Sequence, residues 1–218
     1  MVFLIIAAGG FVFLKLASEV MEGESFAFDR LILQGLRSAS DPSIPIGPAW
    51  LQAAMIDITA LGGVTVLTLL TTLIACYLFV TKKSGTAVLL IAAIAVGALA
   101  STLLKFGYAR PRPDLVAHLV EVHTTSFPSG HAMNSAITYL TLGALLARAE
   151  KDRLVRIFFM VVAILLTLAI GISRIYLGVH WPSDVLAGWC IGASWAALFS
   201  LFARALQQRH TIEQPTAA

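Results

Sequence analysis

Residues 86–104 read TAVLLIAAIAVGALASTLL, nineteen positions without a charge. As an α-helix this stretch is roughly 28 Å long at about 1.5 Å per residue, close to the about 30 Å hydrocarbon core of a bilayer. Working outward, five further apolar segments fall at about 2–17, 58–80, 132–148, 155–172 and 185–203. The whole chain is 58% hydrophobic and 12% charged, with a mean hydropathy of +0.86. Soluble domains carry about 25% charged residues. The pattern predicts an all-α polytopic membrane protein, a bundle of six transmembrane helices forming a single domain over residues 1–218.

The first segment, MVFLIIAAGGFVFLKLA, is short and carries Gly9-Gly10 and Lys15. It lacks the basic start and small-residue cleavage site of a signal peptide, so it is read as a first transmembrane helix. Loop charges give the direction. Lys82-Lys83, the group Arg148, Lys151, Arg153 and Arg156, and the pair Arg204 and Arg209 all fall on one side. The positive-inside rule makes that side, and both termini, cytoplasmic. The 17–56 segment, the 105–131 loop and the turn at 173–184 then face the periplasm or exterior, as expected for a protein of the inner (plasma) membrane.

The outer 17–56 segment carries Glu19, Glu22, Glu24 and Asp29 and is interrupted by Pro42, Pro45 and Pro48. Its apolar positions predict one or two short amphipathic helices at the interface. Residues 210–218 are expected to be a disordered tail. Cys76 and Cys190 lie in apolar runs, where they pack as small hydrophobes without disulfide or metal-ligand spacing. A net charge of +3 is no argument for nucleic acid.

Three polar clusters share the outer side: KFGYARPRP at 105–113, FPSGHA at 127–132 and SRIYLGVHWPSD at 173–184. Taken singly, each has a plain use: a snorkelling lysine beside a basic loop, a turn entering a helix, a capping aspartate near an interfacial histidine. Together they place cations, a Ser-Gly turn at a helix N-terminus and two histidines with one carboxylate at one membrane face. Lys105, Arg110 and Arg112 are costly on the outer side unless an anion rewards them, and ionisable groups at the membrane mark function. Ser129 is a candidate N-cap, and free N–H groups at a helix start bind anions. Pro182 suits the first position of the last helix, which sets His180 just before it and Asp184 in its first turn. The i, i+4 spacing lets that carboxylate reach the imidazole. Cations and N–H groups suit a tetrahedral oxyanion, a carboxylate-oriented histidine suits a nucleophile, and a second histidine suits the acid for an alkoxide leaving group. No carboxylate cluster suited to Mg²⁺ or Zn²⁺ is present in the sequence, so the electrostatic work falls to arginine and lysine.

These residues resemble the type 2 phosphatidic acid phosphatase superfamily, whose motifs have the form K-x6-R-P, P-S-G-H and S-R-x5-H-x3-D. They stand here as Lys105 with Arg112-Pro113, Pro128-Ser129-Gly130-His131, and Ser173-Arg174 with His180 and Asp184. The resemblance implies that His180 attacks phosphorus to form a phosphohistidine, and that Asp184 orients it. His131 then protonates the leaving oxygen and later activates water. Lys105, Arg112, Ser129, Gly130 and Arg174 hold the phosphate, with no metal and no other cofactor. It also implies an integral-membrane lipid phosphatase acting on undecaprenyl pyrophosphate, phosphatidylglycerol phosphate, phosphatidic acid or diacylglycerol pyrophosphate, with bacterial undecaprenyl pyrophosphate recycling preferred. The partners expected are a lipid phosphate and the bilayer, and no nucleic acid. Rival readings are a phosphatase for soluble esters, a vanadate-dependent haloperoxidase-like oxidoreductase, and a lipid transporter, which would need no nucleophile–acid pair.

Around the motifs, Asp57 is expected to cap and pack, and Tyr108, His118 and His123 to occupy a solvated loop. Asn134 and Ser135 are expected to bond between helices, Trp181 to join an interfacial belt and Trp189 to pack in the core.

Overall fold

The computed structural model describes residues 2–23, 26–209 and 212; the expected tail at 210–218 lies outside them except for Ile212. Among the described residues there are eight helices and no β-strand: α1 (Val2–Met21), α2 (Ala27–Gly35), α3 (Ala49–Ala60), α4 (Val64–Val80), α5 (Ser84–Tyr108), α6 (Gly130–Ala149), α7 (Arg153–Tyr176) and α8 (Pro182–Gln208). Four of them, α1, α5, α7 and α8, are long and apolar enough to cross a membrane. The pair α3–α4, bent by 48° at Leu61-Gly62-Gly63, passes the same test only when taken together, as a broken span or a re-entrant segment. The sixth apolar segment is α6, whose Asn134, Ser135, Thr138 and Thr141 lower its apolar content. It is packed against α7, α8, α5 and α4, so its polar side chains meet protein more than lipid. In contrast, Phe11, Leu14, Leu73, Leu103, Phe106 and Leu165 stand exposed on the outer faces of α1, α4, α5 and α7. An apolar exterior of this kind is covered by lipid in a membrane protein.

Local chemistry sets the helix ends. Ser129 caps α6, accepting the Ala132 N–H at 3.5 Å, and Asp152 caps α7, accepting the Leu154 N–H at 2.7 Å. α5 stops at Ala109, which takes a left-handed conformation, two residues before Pro111. Pro182 opens α8, and the Asp184 carboxylate accepts the Trp181 N–H at 2.9 Å.

Small residues bring the central helices together. A Cβ at Gly188 of α8 would stand 2.8 Å from the Ser129 carbonyl oxygen, and one at Gly192 2.7 Å from that of Met133. No side chain fits there, so α6 and α8 cross at backbone contact. Gly9 does the same between α1 and α8, where a Cβ would lie 2.8 Å from the Cys190 carbonyl oxygen. The glycine that weakens the first segment as a sequence is therefore its docking point.

Several boundaries differ from expectation. α1 runs on to Met21, because Phe13, Leu16, Ala17 and Val20 bury against Phe127 and Ala187. The 17–56 segment does contain two helices, but α3 continues beyond it to Ala60. Asp57 is exposed on α3. Trp181 does not belong to a lipid-facing belt: it is 8% exposed and donates its indole N–H to the Pro111 carbonyl at 3.1 Å. Trp189 packs across Gly171 and donates to the Thr167 carbonyl at 3.0 Å.

Candidate active site

The C-terminal ends of α5 and α7 and the N-terminal ends of α6 and α8 meet at one end of the bundle. Helix direction alone puts Lys82-Lys83, Arg153 and Arg209 at the opposite end. The loop at 109–129 covers the meeting point and is tied down along its length. The Ser126 N–H donates to the Arg110 carbonyl at 2.8 Å, Leu119 to Leu177 at 3.0 Å, and Ser129 to Asp184 at 3.0 Å.

His180 sits at the centre, 1% exposed. Its Nδ1 faces the Asp184 Oδ2 at 3.3 Å, and its Nε2 faces the Arg112 Nη1 at 3.3 Å. Asp184 at this position accepts hydrogen bonds and a guanidinium only donates them. The pairing therefore sets the neutral tautomer: the proton is on Nδ1 and the lone pair on Nε2. Burial is the main cause holding the His180 pKa well below the ordinary histidine value of 6.5, reinforced by the positive charges of Arg112, Arg174 and Lys105 and by His131.

Asp184 is fully buried and saturated with donors. Its Oδ2 takes the Ser126 hydroxyl in a short hydrogen bond and the Trp181 N–H, and its Oδ1 takes Arg110 Nη1 at 2.6 Å. Arg112 is held by the loop: Nε donates to the Thr124 carbonyl at 2.7 Å, Nη2 to the Thr124 hydroxyl at 3.2 Å and Nη1 to the Val179 carbonyl at 2.5 Å. Lys105 Nζ donates to the Thr125 carbonyl at 2.8 Å. Arg174 is buried, with Nη1 on the Thr59 hydroxyl at 3.1 Å and Nε without a hydrogen-bond partner among the described residues. A Cβ at Gly130 would come within 3.2 Å of Lys105 Cε, so the helix start of α6 lies directly under that cation. His131 lies against the bend of α3–α4, where a Cβ at Gly62 would meet its ring at 3.3 Å.

The structure thus brings together all eight residues singled out from the sequence: His180, His131, Asp184, Lys105, Arg112, Ser129, Gly130 and Arg174. Of the neighbours, His118 turns to its own loop, pairing with the Pro113 carbonyl at 2.8 Å, and Tyr108 packs edge-on to Phe127. Five partners of the site escaped sequence reading: Asp29, Thr59, Arg110, Ser126 and Ser183. Arg110 was grouped with Lys105 and Arg112 as an outer cation rewarded by an anion; in the fold its anions are the Asp29 and Asp184 carboxylates. The others are polar residues of ordinary type, and nothing in their spacing sets them apart. Among the described residues, no three His, Cys, Asp or Glu side chains gather as a metal site would need.

Comparison with known proteins gives the family. The sequence pattern of the PAP2 superfamily matches residues 86–208. The phosphatidylglycerophosphatase B of Bacillus subtilis is 35% identical over 158 residues, 70% of this chain and 75% of that protein. An undecaprenyl-diphosphatase of Sulfolobus acidocaldarius is 32% identical over 56% of this chain and 55% of its own length. The crystal structure of a transmembrane PAP2-type phosphatidylglycerolphosphate phosphatase from Bacillus subtilis superposes with a TM-score of 0.81 at 28% identity, over 93% of this chain and 98% of that one. Aquifex aeolicus LpxE superposes with a TM-score of 0.62 at 28% identity, over 82% and 98%. Helices that cross a membrane, the matched sequence pattern and the shared architecture together make this chain an integral-membrane phosphatase of the PAP2 superfamily.

Proposed function

We propose that the chain hydrolyses a lipid phosphate mono- or pyrophosphate ester through a phosphohistidine on His180. The observation that carries this reading is the placement of His180, with Nδ1 3.3 Å from the Asp184 carboxylate and Nε2 3.3 Å from the Arg112 guanidinium, which favours a lone pair on Nε2. Nε2 attacks the terminal phosphorus, forming the N–P bond as the bond to the leaving oxygen breaks (the lipid oxygen of a monophosphate, the bridging oxygen of a pyrophosphate), and His131 gives that oxygen its proton. Water then attacks phosphorus, His131 takes its proton, the N–P bond breaks and inorganic phosphate leaves. Lys105, Arg112 and Arg174 stabilise charge on the equatorial oxygens, together with the N–H groups at the start of α6 beside Ser129 and Gly130. A bound phosphate dianion offsets these cations, so an imidazolium at His131 is tolerated when substrate is present.

The substrates we favour are phosphatidylglycerol phosphate, after the relative with the broader match, and undecaprenyl pyrophosphate. A reactive centre at the ends of lipid-facing helices suits a head group at the interface with its tail in the bilayer. In orientation, α6 completes six spans, the end carrying Lys82-Lys83, Arg153 and Arg209 is cytoplasmic, and the site faces the periplasm or exterior of the inner membrane.

The test is phosphate release by the purified protein in detergent containing EDTA. The substrates are phosphatidylglycerol phosphate, undecaprenyl pyrophosphate, phosphatidic acid and a soluble phosphate ester, with His180→Ala beside the wild type. Release from at least one lipid that vanishes in the variant is expected. Release from the soluble ester alone would remove the lipid substrate, and release unchanged in the variant would remove His180 as nucleophile.

A further inference from the structure

Behind Asp184, on the side away from the phosphate-binding cations, lies a second buried carboxylate that the motifs do not contain. Asp29 of α2 is fully buried although its neighbours Phe28, Leu31 and Ile32 are exposed. Its Oδ1 accepts the Ser183 N–H at 2.7 Å, and its Oδ2 accepts the Ser183 hydroxyl at 2.5 Å and Arg110 Nη2 at 3.1 Å. Arg110 spends its other terminal nitrogen on Asp184 Oδ1 at 2.6 Å and the Ser183 oxygen at 2.8 Å, and lies over the Trp181 ring at 5.4 Å. The result is a row, Asp29–Arg110–Asp184–His180, in which one guanidinium serves two carboxylates.

The charge count gives the row its use. If Arg110 had only Asp184 to pair with, it would neutralise that carboxylate outright. With Asp29 ionised, half of the guanidinium is engaged elsewhere, and Asp184 keeps negative charge to set against the positive charge that develops on His180. The other groups that bear on His180, namely Lys105, Arg112, Arg174 and His131, are cationic or become so on protonation. Asp29, Arg110, Asp184 and His180 are all buried, and buried charges are weakly screened, so a carboxylate one residue removed still acts. A charged carboxylate is also costly to bury, which a mere staple between α2 and α8 would not require.

We propose that Asp29 is a positioning residue for phosphoryl transfer: through Arg110 it fixes Asp184 and keeps that carboxylate's charge available to His180. This rests on His180 being the nucleophile. The interfacial helix α2, whose exposed apolar side chains face away from the bundle, is thereby part of the catalytic apparatus and more than a cover for it.

The experiment compares Asp29→Asn, Arg110→Gln and the double variant in the full-length protein, with wild type and His180→Ala as the bounds. The substrate is whichever of the four above the wild type turns over fastest. Asp29→Asn is expected to lower kcat about ten-fold with KM within about two-fold. The double variant, in which Asn and Gln pair without charge and Asp184 is no longer neutralised, is expected to regain several-fold of that loss and to exceed Arg110→Gln alone, where Asp29 is left unpaired. A structural staple predicts the reverse, with the double variant worse than either single one. Wild-type kcat in Asp29→Asn, or a double variant no better than the singles, overturns the proposal. Should Asp29→Asn not accumulate as folded protein, the comparison of the double variant with Arg110→Gln decides alone. Persisting activity in His180→Ala would instead strike the nucleophile assignment.

Discussion

His180 meets opposite chemistries at its two ring nitrogens, a carboxylate at Nδ1 and a guanidinium at Nε2. Both favour the same tautomer, and burial beside three cations favours the neutral ring over the imidazolium. A lowered pKa keeps the nucleophilic form populated as the pH falls through the ordinary histidine range, whereas the unfolded chain takes up its proton there. Titration of ¹⁵N-histidine-labelled protein is expected to show His180 still neutral at about pH 6, with the proton on Nδ1; an imidazolium signal at that pH would contradict the electrostatics described above. At this scale the sequence was informative where a residue type is rare in its surroundings, as with histidines and outer-side cations in an apolar chain. It was silent on Ser126 and Asp29. A serine in a loop and an aspartate in an amphipathic segment are common, and only the folded chain shows which carboxylate and which guanidinium they reach.

Among the elements, the turn between α7 and α8 bears most directly on the site, because it sets the distance from Arg174 to His180. Gly178 makes that turn with a φ of 74°. A Cβ there would also stand 2.6 Å from Arg37 Nη2 and 2.7 Å from the Ala117 carbonyl oxygen. Gly178→Ala is therefore expected to cost about 1–3 kcal/mol and lower the melting temperature in detergent, with phosphate release falling as the turn shifts. An unchanged melting temperature would mean that the turn relaxes freely. The apolar runs and the proline at the start of α8 made most helices legible. The bend at Gly62-Gly63 was not, since the run from 58 to 80 keeps its hydropathy through the break. The end of α1 was also missed: polar residues after Lys15 suggested an exit, but packing against Phe127 and Ala187 carries the helix another turn.

The whole molecule is a set of lipid-facing helices around an enclosed and more polar α6, with reactive residues at one end and loop cations at the other. A full membrane class was readable from composition because lipid-facing surfaces must be apolar, whatever the packing inside. The enclosed helix was readable only as an apolar segment among others, because its burial in protein depends on tertiary contacts. The orientation proposed above predicts that, in a Cys76→Ala/Cys190→Ala background, a cysteine replacing exposed Glu121 reacts with a membrane-impermeant maleimide in intact cells, and one replacing exposed Asp152 only after permeabilisation. The opposite pattern would invert the topology.

Trapping the covalent intermediate tests His180 as the nucleophile. Rapid acid-free quenching with ³²P-labelled substrate is expected to leave label on the wild-type protein in an acid-labile, alkali-stable bond. Peptide mapping should place it on the peptide containing His180, and His180→Ala should carry none. Label that persists in His180→Ala, or that maps to His131, would remove His180 as the phosphorylated residue.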